Sequence, residues 1–351
     1  RPAGLQLRAL DVLPRSDAAG CYGYVEFAAY EPAHDLDRFF ARAGQLLALL
    51  HLLGCSDGHN ENLLVSGDDY LLVDPETMFE TPLRGAEAAD EQPATSVLGL
   101  GILPRWRQAA ATEAVEDVSA LGHPGAEADA TATGPGWIAA NTDAMRWGLV
   151  DYPEPHPASL PTGPGEPAAS PIRIDALTSG FRRAMGAMMG DRPRLHCQLD
   201  SMRGLTRRLV FRSTRTYVRL QRNATSAVAL RSPIGRGLAL EPLSRAFLLG
   251  EQAPPFWPLL QAELAACEDL DVPMFTHAVG SVEVLGDGPV TGRPGTAATP
   301  IHDGLAQAVH RLNLLDDAVV EEQLRLIRAS VATVDARLDD LTQTSYVNVA
   351  S

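Results

Sequence analysis

The stretch from 36 to 76 constrains the fold of this chain more than any other. Leu36, Phe39, Phe40, Ala43, Leu46, Leu47 and Leu50 recur at i, i+3, i+4 and i+7, and Gly54 follows. That spacing predicts one buried amphipathic helix over about 35–53. Two short apolar runs come next, 63–65 and 70–73, joined by Ser66-Gly67-Asp68-Asp69. This is the composition of a tight β-hairpin. The segment Cys55-Ser56-Asp57-Gly58-His59-Asn60-Glu61-Asn62 lies between helix and hairpin, and Asp74-Pro75-Glu76-Thr77 lies just beyond the second strand. Acids, an amide and a histidine thus fall on loops framed by rigid elements, where reactive groups commonly sit.

The spacing suggests a chemistry. Asn62 follows Asp57 by five positions, the Asp-x-x-x-x-Asn interval of a kinase catalytic loop, and Asp74 stands where kinases carry a metal-binding aspartate after the next hairpin. Phosphoryl transfer to a hydroxyl needs a carboxylate near the attacking oxygen, which Asp57 can supply. It also needs hard oxygen ligands for Mg²⁺, which Asn62 and Asp74 can supply. Glu76 falls two residues after Asp74, on the same side if the chain is extended there, as a supporting or second metal group. His59 fits either proton transfer or phosphate binding. Each residue also has a plain reading: an Asp in a turn, an Asn as a cap, a His at a surface.

Charge is distributed unevenly. The 351 residues carry 29 basic against 44 acidic side chains, for a net charge of −15, and every basic one is arginine. Overall acidity argues against general nucleic-acid binding. Yet no acid occurs between Asp200 and Glu241, where Arg203, Arg207, Arg208, Arg212, Arg215, Arg219, Arg222, Arg231 and Arg236 are found. Such an island either receives a local anionic ligand or pairs with acids elsewhere. No apolar run approaches the ~20 residues of a membrane span, so no stable membrane insertion is expected. Cys21, Cys55, Cys197 and Cys267 lie far apart, which suits reduced thiols and a cytoplasmic location.

Around this centre, 1–30 reads as short strands (5–13 and 22–27). The stretches 84–95 and 107–136 read as mobile loops, and 153–171 as a Pro-rich linker. Helices are predicted near 174–189, 244–249, 257–270, 304–314 and 317–341. Three regions follow: a catalytic core with an incomplete N-terminal lobe over 1–110, a mobile insertion and linker over 111–172, and a mainly helical region over 173–345. A kinase also requires a Gly-rich phosphate loop and a phosphate-holding lysine. Gly20-Cys21-Tyr22-Gly23 is too short for the first, and there is no lysine at all. Because Arg1 opens the chain with no Met before it, truncation of that lobe is the simpler expectation.

Several motifs together resemble one family. Tyr22-Gly23-Tyr24-Val25-Glu26-Phe27, the Leu-rich helix, Ser56-Asp57-Gly58-His59-Asn60-Glu61-Asn62-Leu63 and Val73-Asp74-Pro75-Glu76-Thr77-Met78-Phe79 occur in order. Asn141-Thr142-Asp143-Ala144-Met145, Arg208…Arg212-Ser213-Thr214…Tyr217 and Asp271-Val272-Pro273-Met274-Phe275 follow. The chain resembles the dehydratase domain of class II lanthipeptide synthetases. The resemblance implies an α+β fold with a lipid-kinase-like catalytic core elaborated by many additional helices. It implies use of ATP and Mg²⁺ to phosphorylate Ser and Thr of a precursor peptide, then elimination of phosphate to dehydroalanine and dehydrobutyrine. By motif match, phosphorylation falls to Asp57, His59, Asn62, Asp74 and Glu76, with Asn62, Asp74 and Glu76 toward the nucleotide and Asn62 and Asp74 on the metal. Elimination falls to Arg208 and Thr214. The family's full-length members carry a C-terminal cyclase with a Cys/His zinc site. Here His277, His302 and His310 have no cysteine nearby in sequence and read as surface histidines.

The arginine island suits the second step. A departing phosphate bears about two negative charges, and guanidinium forks lower the cost of that charge through paired hydrogen bonds. If 208–214 is extended, Arg208, Arg212 and Thr214 share one side; otherwise Arg212 and Arg215 merely solvate a strand. Two other classes compete with the dehydratase: a peptide-binding relative without productive ATP binding, and an ordinary small-molecule or protein kinase relative.

Overall fold

In the computed structural model of the chain, the residues described are 5–17, 20–80, 96–108, 115–117, 119–122, 131–153, 158–163, 170–209, 211–245, 257–281, 284–286 and 303–340. They form helices and small antiparallel sheets, an α+β arrangement. The chain divides into two compact units. The first contains 1–75, 93–192 and 314–351, and the second 76–92 and 193–313.

The first unit begins with a hairpin, β1 (Val12–Asp17) and β2 (Gly20–Val25), in register from Val12↔Val25 to Asp17↔Gly20. Helix α1 (Leu36–Leu53) follows, and its buried face is the predicted one, from Leu36 through Leu53. Asp35 caps it by accepting from the Asp37 and Arg38 amides at 3.0 and 3.1 Å, replacing helix bonds the first turn lacks. Gly54, at φ 70°, ends it with its amide on the Leu50 carbonyl; a side chain there would be strained. The predicted hairpin is present as β3 (Leu63–Ser66) and β4 (Asp69–Leu72), turning on Gly67-Asp68. Asp68 also accepts from the His34 and Asp35 amides at 2.9 and 2.7 Å, so the turn is fastened to the start of α1.

Two further hairpins occupy part of the stretch expected to be loop. They are β5 (Trp106–Gln108) with β6 (Val115–Asp117), and β7 (Thr131–Ile138) with β8 (Arg146–Pro153). The Ala, Thr and Gly content of 107–136 concealed them. Cross-strand packing supports the second pair, where Trp137 and Trp147 meet edge to face at 5.0 Å. The predicted loop 84–95 lies outside the described residues. The linker is irregular where described, and Thr162 ties it down by accepting from the Ala33 amide at 2.9 Å. The core of this unit is α1 packed on α2 (Ile174–Gly190), with α9 (Asp317–Asp340) on α2.

The α1–α2 contact is close because both helices present glycine. A Cβ on Gly44 would meet the Leu177 carbonyl oxygen, and one on Gly180 would meet the Ala41 carbonyl oxygen. Alanine at 180 gains about 1 kcal/mol of helix propensity, but a backbone clash between packed helices cannot relax by a rotamer change. Gly180→Ala is therefore expected to destabilise the unit by about 3 kcal/mol, read as a lower urea midpoint at unchanged slope.

The second unit contains helices that the sequence reading did not anticipate: α3 (Arg192–Ser201), whose first residue is the last of unit one, α4 (Thr214–Ala224) and α5 (Pro233–Leu240). It also holds α6 (Pro242–Arg245), α7 (Trp257–Glu268) and all but the last residue of α8 (Gly304–Leu314), close to the expected places. A three-stranded antiparallel sheet runs in the order β11 (Val284–Gly286), β10 (Phe275–Ala278), β9 (Thr206–Leu209). Tyr217, Leu220, Ala224, Leu240, Leu243, Leu260 and Cys267 form its main apolar cluster.

Candidate functional site

In the first unit the loop leaving α1 is held by backbone contacts. The Gly58 amide donates to the Leu100 carbonyl at 2.8 Å, and a Cβ on Gly58 would lie 2.7 Å from that oxygen. Only glycine permits so close an approach. His59 bridges Ser119, its carbonyl accepts from the Asn62 amide at 3.0 Å, and the Asn62 carbonyl accepts from the Val73 amide at 2.9 Å. The last bond extends the β3–β4 ladder by one rung. It sets Asn62 and, one residue past Val73, Asp74 at the open end of the same hairpin.

The side chains of Asp57, His59 and Asn62 converge. The Asn62 amide nitrogen donates to the Asp57 carbonyl at 2.8 Å and to Asp57 Oδ2 at 3.1 Å. Both partners are acceptors, so the amide orientation is determined and Oδ1 is the atom turned elsewhere. His59 Nδ1 accepts from the Glu61 amide at 3.1 Å, which places the ring proton on Nε2. That nitrogen lies 3.4 Å from Asp57 Oδ1, so His59 donates toward the carboxylate. The same nitrogen lies 3.4 Å from Asn62 Nδ2, but two donors facing each other make no bond. Asp57 is thereby held by an amide on one oxygen and an imidazole on the other, and it remains partly exposed.

No group of three or more His, Cys, Asp or Glu side chains among the described residues converges as a metal site. Asn62 Oδ1 and the Asp74 carboxylate are nevertheless hard oxygen donors of the kind Mg²⁺ accepts when water and phosphate complete its shell. The donor chemistry fits.

In the second unit Glu76 lies in a turn rather than an extended stretch. Its Oε2 accepts from Arg208 Nη1 at 2.9 Å, with the two side chains 26% and 30% exposed. Arg208 is on β9 opposite Thr276, and the alternation of the strand turns its neighbours Arg207 and Leu209 to the other face, opposite His277 and Phe275. The expected extended run over 208–214 does not exist. The strand ends at Leu209 and α4 begins at Thr214, because Tyr217, Leu220 and Ala224 find an apolar core at helical spacing. Thr214 is exposed in the first turn of α4, and no hydrogen bond joins it to Arg208 among the described residues. Arg212 turns instead to Glu263, at 2.6 and 3.3 Å, and to the Leu243 carbonyl at 2.8 Å. Tyr217 also donates to Glu263 at 2.7 Å. Burial pushes the Glu263 carboxyl up and its two donors draw it back. This network binds α4 to α7 and was not legible in sequence, since Glu263 is far along the chain and carries no motif.

His277 corrects another expectation. It is buried, not on the surface, with Nδ1 unpartnered among the described residues; His310 is exposed and His302 lies outside the described residues. Burial, and then the Arg207 charge across the strand pair, draw its pKa down to about 4 against a weaker pull from Asp303. In the unfolded chain the imidazole takes up its proton near 6.5. The unfolded state therefore binds more protons between those values, and stability falls as pH drops from about 6.5 to about 4, by up to ~1.4 kcal/mol per unit. Urea midpoints over that range should fall less for His277→Gln than for the natural protein.

No helix among the described residues is long and apolar enough to cross a membrane. Over 93 aligned positions that cover 24% of the chain, the sequence is 28% identical to the lacticin 481/lactococcin biosynthesis protein LcnDR2 of Lactococcus lactis subsp. lactis. The chain spans about a tenth of the length of that relative, the match covering 10% of it. A family model covers the larger part of the chain, including both groups of residues described above. With residues 1–278 matched, the chain belongs to the family described as Domain of unknown function (DUF4135).

Proposed function

We propose that the chain is the dehydratase part of a lanthipeptide synthetase, with a lipid-kinase-like core, acting on Ser and Thr of a precursor peptide. The observation that carries this reading is the Glu76–Arg208 ion pair. It joins a member of the sequence-predicted phosphorylation set to the arginine predicted for elimination. The relative's role in lantibiotic biosynthesis and the convergence of Asp57, His59 and Asn62 support it further.

A Ser or Thr hydroxyl of the peptide loses its proton to Asp57 as its oxygen bonds to the γ-phosphorus of ATP, and ADP departs. His59, donating to Asp57, holds the carboxylate toward the hydroxyl and steadies it once protonated. Mg²⁺, when bound, neutralises charge on the transferring phosphoryl group, and Asn62 and Asp74 are the residues that would hold it. Glu76 positions Arg208 through their ion pair. In the second reaction the Cα proton passes to a base, the C–H electron pair moves between Cα and Cβ, and the Cβ–O bond breaks. Phosphate leaves with the bonding electrons, and a Cα=Cβ double bond forms. Arg208 receives the departing dianion, and Thr214 adds a hydroxyl donor. The expected partners are the precursor peptide and a C-terminal cyclase that consumes the dehydrated residues.

A second reading retains the peptide-binding shell without productive ATP use, favoured by the total lack of lysine. Incubating the protein as its gene encodes it with a precursor peptide, ATP and Mg²⁺ separates the two. Loss of one water per modified residue, seen by mass spectrometry, supports the dehydratase. Peptide binding with no change of peptide mass supports the alternative.

A further inference from the structure

The surface formed by α4 and α5 has no part in the chemistry above, yet it has a definite composition. On α4, Arg215, Arg219 and Arg222 recur at i, i+4 and i+7, opposite the buried Tyr217, Leu220 and Ala224. Arg219 and Arg222, with Arg231 beyond them, make no ion pair among the described residues. The next turn and α5 pack beside α4 and expose Val228 (72%), Leu230 (59%), Ile234 (75%) and Leu238 (65%). Ile234 and Leu238 are one helical turn apart, and an open cleft of about 420 Å³ at α5 is lined by Leu230, Arg231, Arg236 and Leu240, with Glu268 of α7 at its edge. Single exposed aliphatics are ordinary; four within eleven residues, flanked by a row of guanidinium groups, form a patch.

We infer that this face docks an acidic, amphipathic helical segment of the peptide substrate, a conclusion that rests on the reading of the chain as a peptide-modifying enzyme. A helix with one apolar stripe and an adjacent carboxylate stripe matches an aliphatic ridge beside an arginine ridge. No acid occurs between Asp200 and Glu241, so the guanidinium groups of this stretch outnumber the Glu268 carboxylate that borders the cleft. A second copy of the chain fits less well, because two copies of one cationic face meeting about a two-fold axis set like charges together. An anionic bilayer is opposed by the protein's net charge of −15.

The test is fluorescence anisotropy with a labelled synthetic helix of about twenty residues, carrying leucines on one stripe and glutamates on the next, without ATP. The natural protein should bind it, and both Arg219→Glu/Arg222→Glu and Ile234→Ser/Leu238→Ser should raise Kd about ten-fold or more. These positions are exposed, so thermal unfolding of the variants should be unchanged. A peptide with lysine in place of glutamate should not bind. Equal affinity in the variants or for the lysine peptide overturns the proposal. So does co-sedimentation with phosphatidylserine vesicles, or dimerisation, that depends on Ile234 and Leu238 while the peptide stays unbound. Arg208→Ala should keep full affinity. A protein that dehydrates its substrate without using this face refutes the docking alone, and one that binds here but modifies nothing refutes the function alone.

Discussion

Replacing Arg208 with alanine is expected to turn the product of the reaction from dehydrated peptide into phosphorylated peptide. In the natural protein Arg208 is half-buried beside Glu76, with a planar fork able to give two parallel hydrogen bonds to a phosphate. In the proposed elimination, charge develops as the Cβ–O bond breaks, so the arginine's contribution should be greatest at that transition state. Loss of one such donor slows a step by about 10²–10³-fold, while phosphoryl transfer, assigned to the loop after α1, should continue. Mass spectrometry should then show precursor carrying phosphate, with few double bonds. Arg208→Lys should restore little, because an ammonium offers a point charge and no fork. Fully dehydrated product from Arg208→Ala would refute the assignment.

Asp74→Ala should act earlier and leave the peptide unmodified. Asp74 supplies the one carboxylate in the proposed pair of metal oxygens, and Asn62, its neighbour at the end of the hairpin, contributes a neutral one. Without the carboxylate, charge on the transferring group is left uncompensated, and phosphorylation should fall by about 10³-fold or more. The site is at the open end of β3–β4 and outside the apolar core, so urea unfolding should change little. When peptide already bearing phosphate is supplied, the variant should still eliminate it. That separation of two activities in one chain is what neither a simple kinase nor a bare peptide binder can show.

The parts of the fold that were legible in sequence were those with local causes. The helix over 36–53 could be read because a 3.6-residue repeat of Leu and Phe has one physical outcome when a glycine stop follows, and the next hairpin because Gly67-Asp68 suits a two-residue turn. Helix α4 was hidden: its core residues Tyr217, Leu220 and Ala224 are spaced for a helix, but the arginines between them read as an extended cationic strip. Strand β9, Thr206-Arg207-Arg208-Leu209, has almost no apolar signal and exists because β10 pairs with it. Of the candidate residues, Asp57, His59 and Asn62 were separated by a few positions and found each other through local bonds. The pairing of Arg208 with Glu76, and of Arg212 with Glu263, depends on which distant carboxylate the fold brings near, and no local pattern encodes that. The alternation that set Arg208, Arg212 and Thr214 on one side does not apply, because the strand ends at Leu209 and a helix begins at Thr214.

The oxygen of the modified side chain offers the most direct measurement of the central claim. A precursor peptide made with heavy-oxygen-labelled serine is incubated with the protein, ATP and Mg²⁺, and the released inorganic phosphate is weighed by mass spectrometry. If the hydroxyl is first phosphorylated and then eliminated, the heavy atom leaves as the bridging oxygen of phosphate, one for each double bond formed. Heavy oxygen recovered in water, or double bonds formed without release of phosphate, would contradict it.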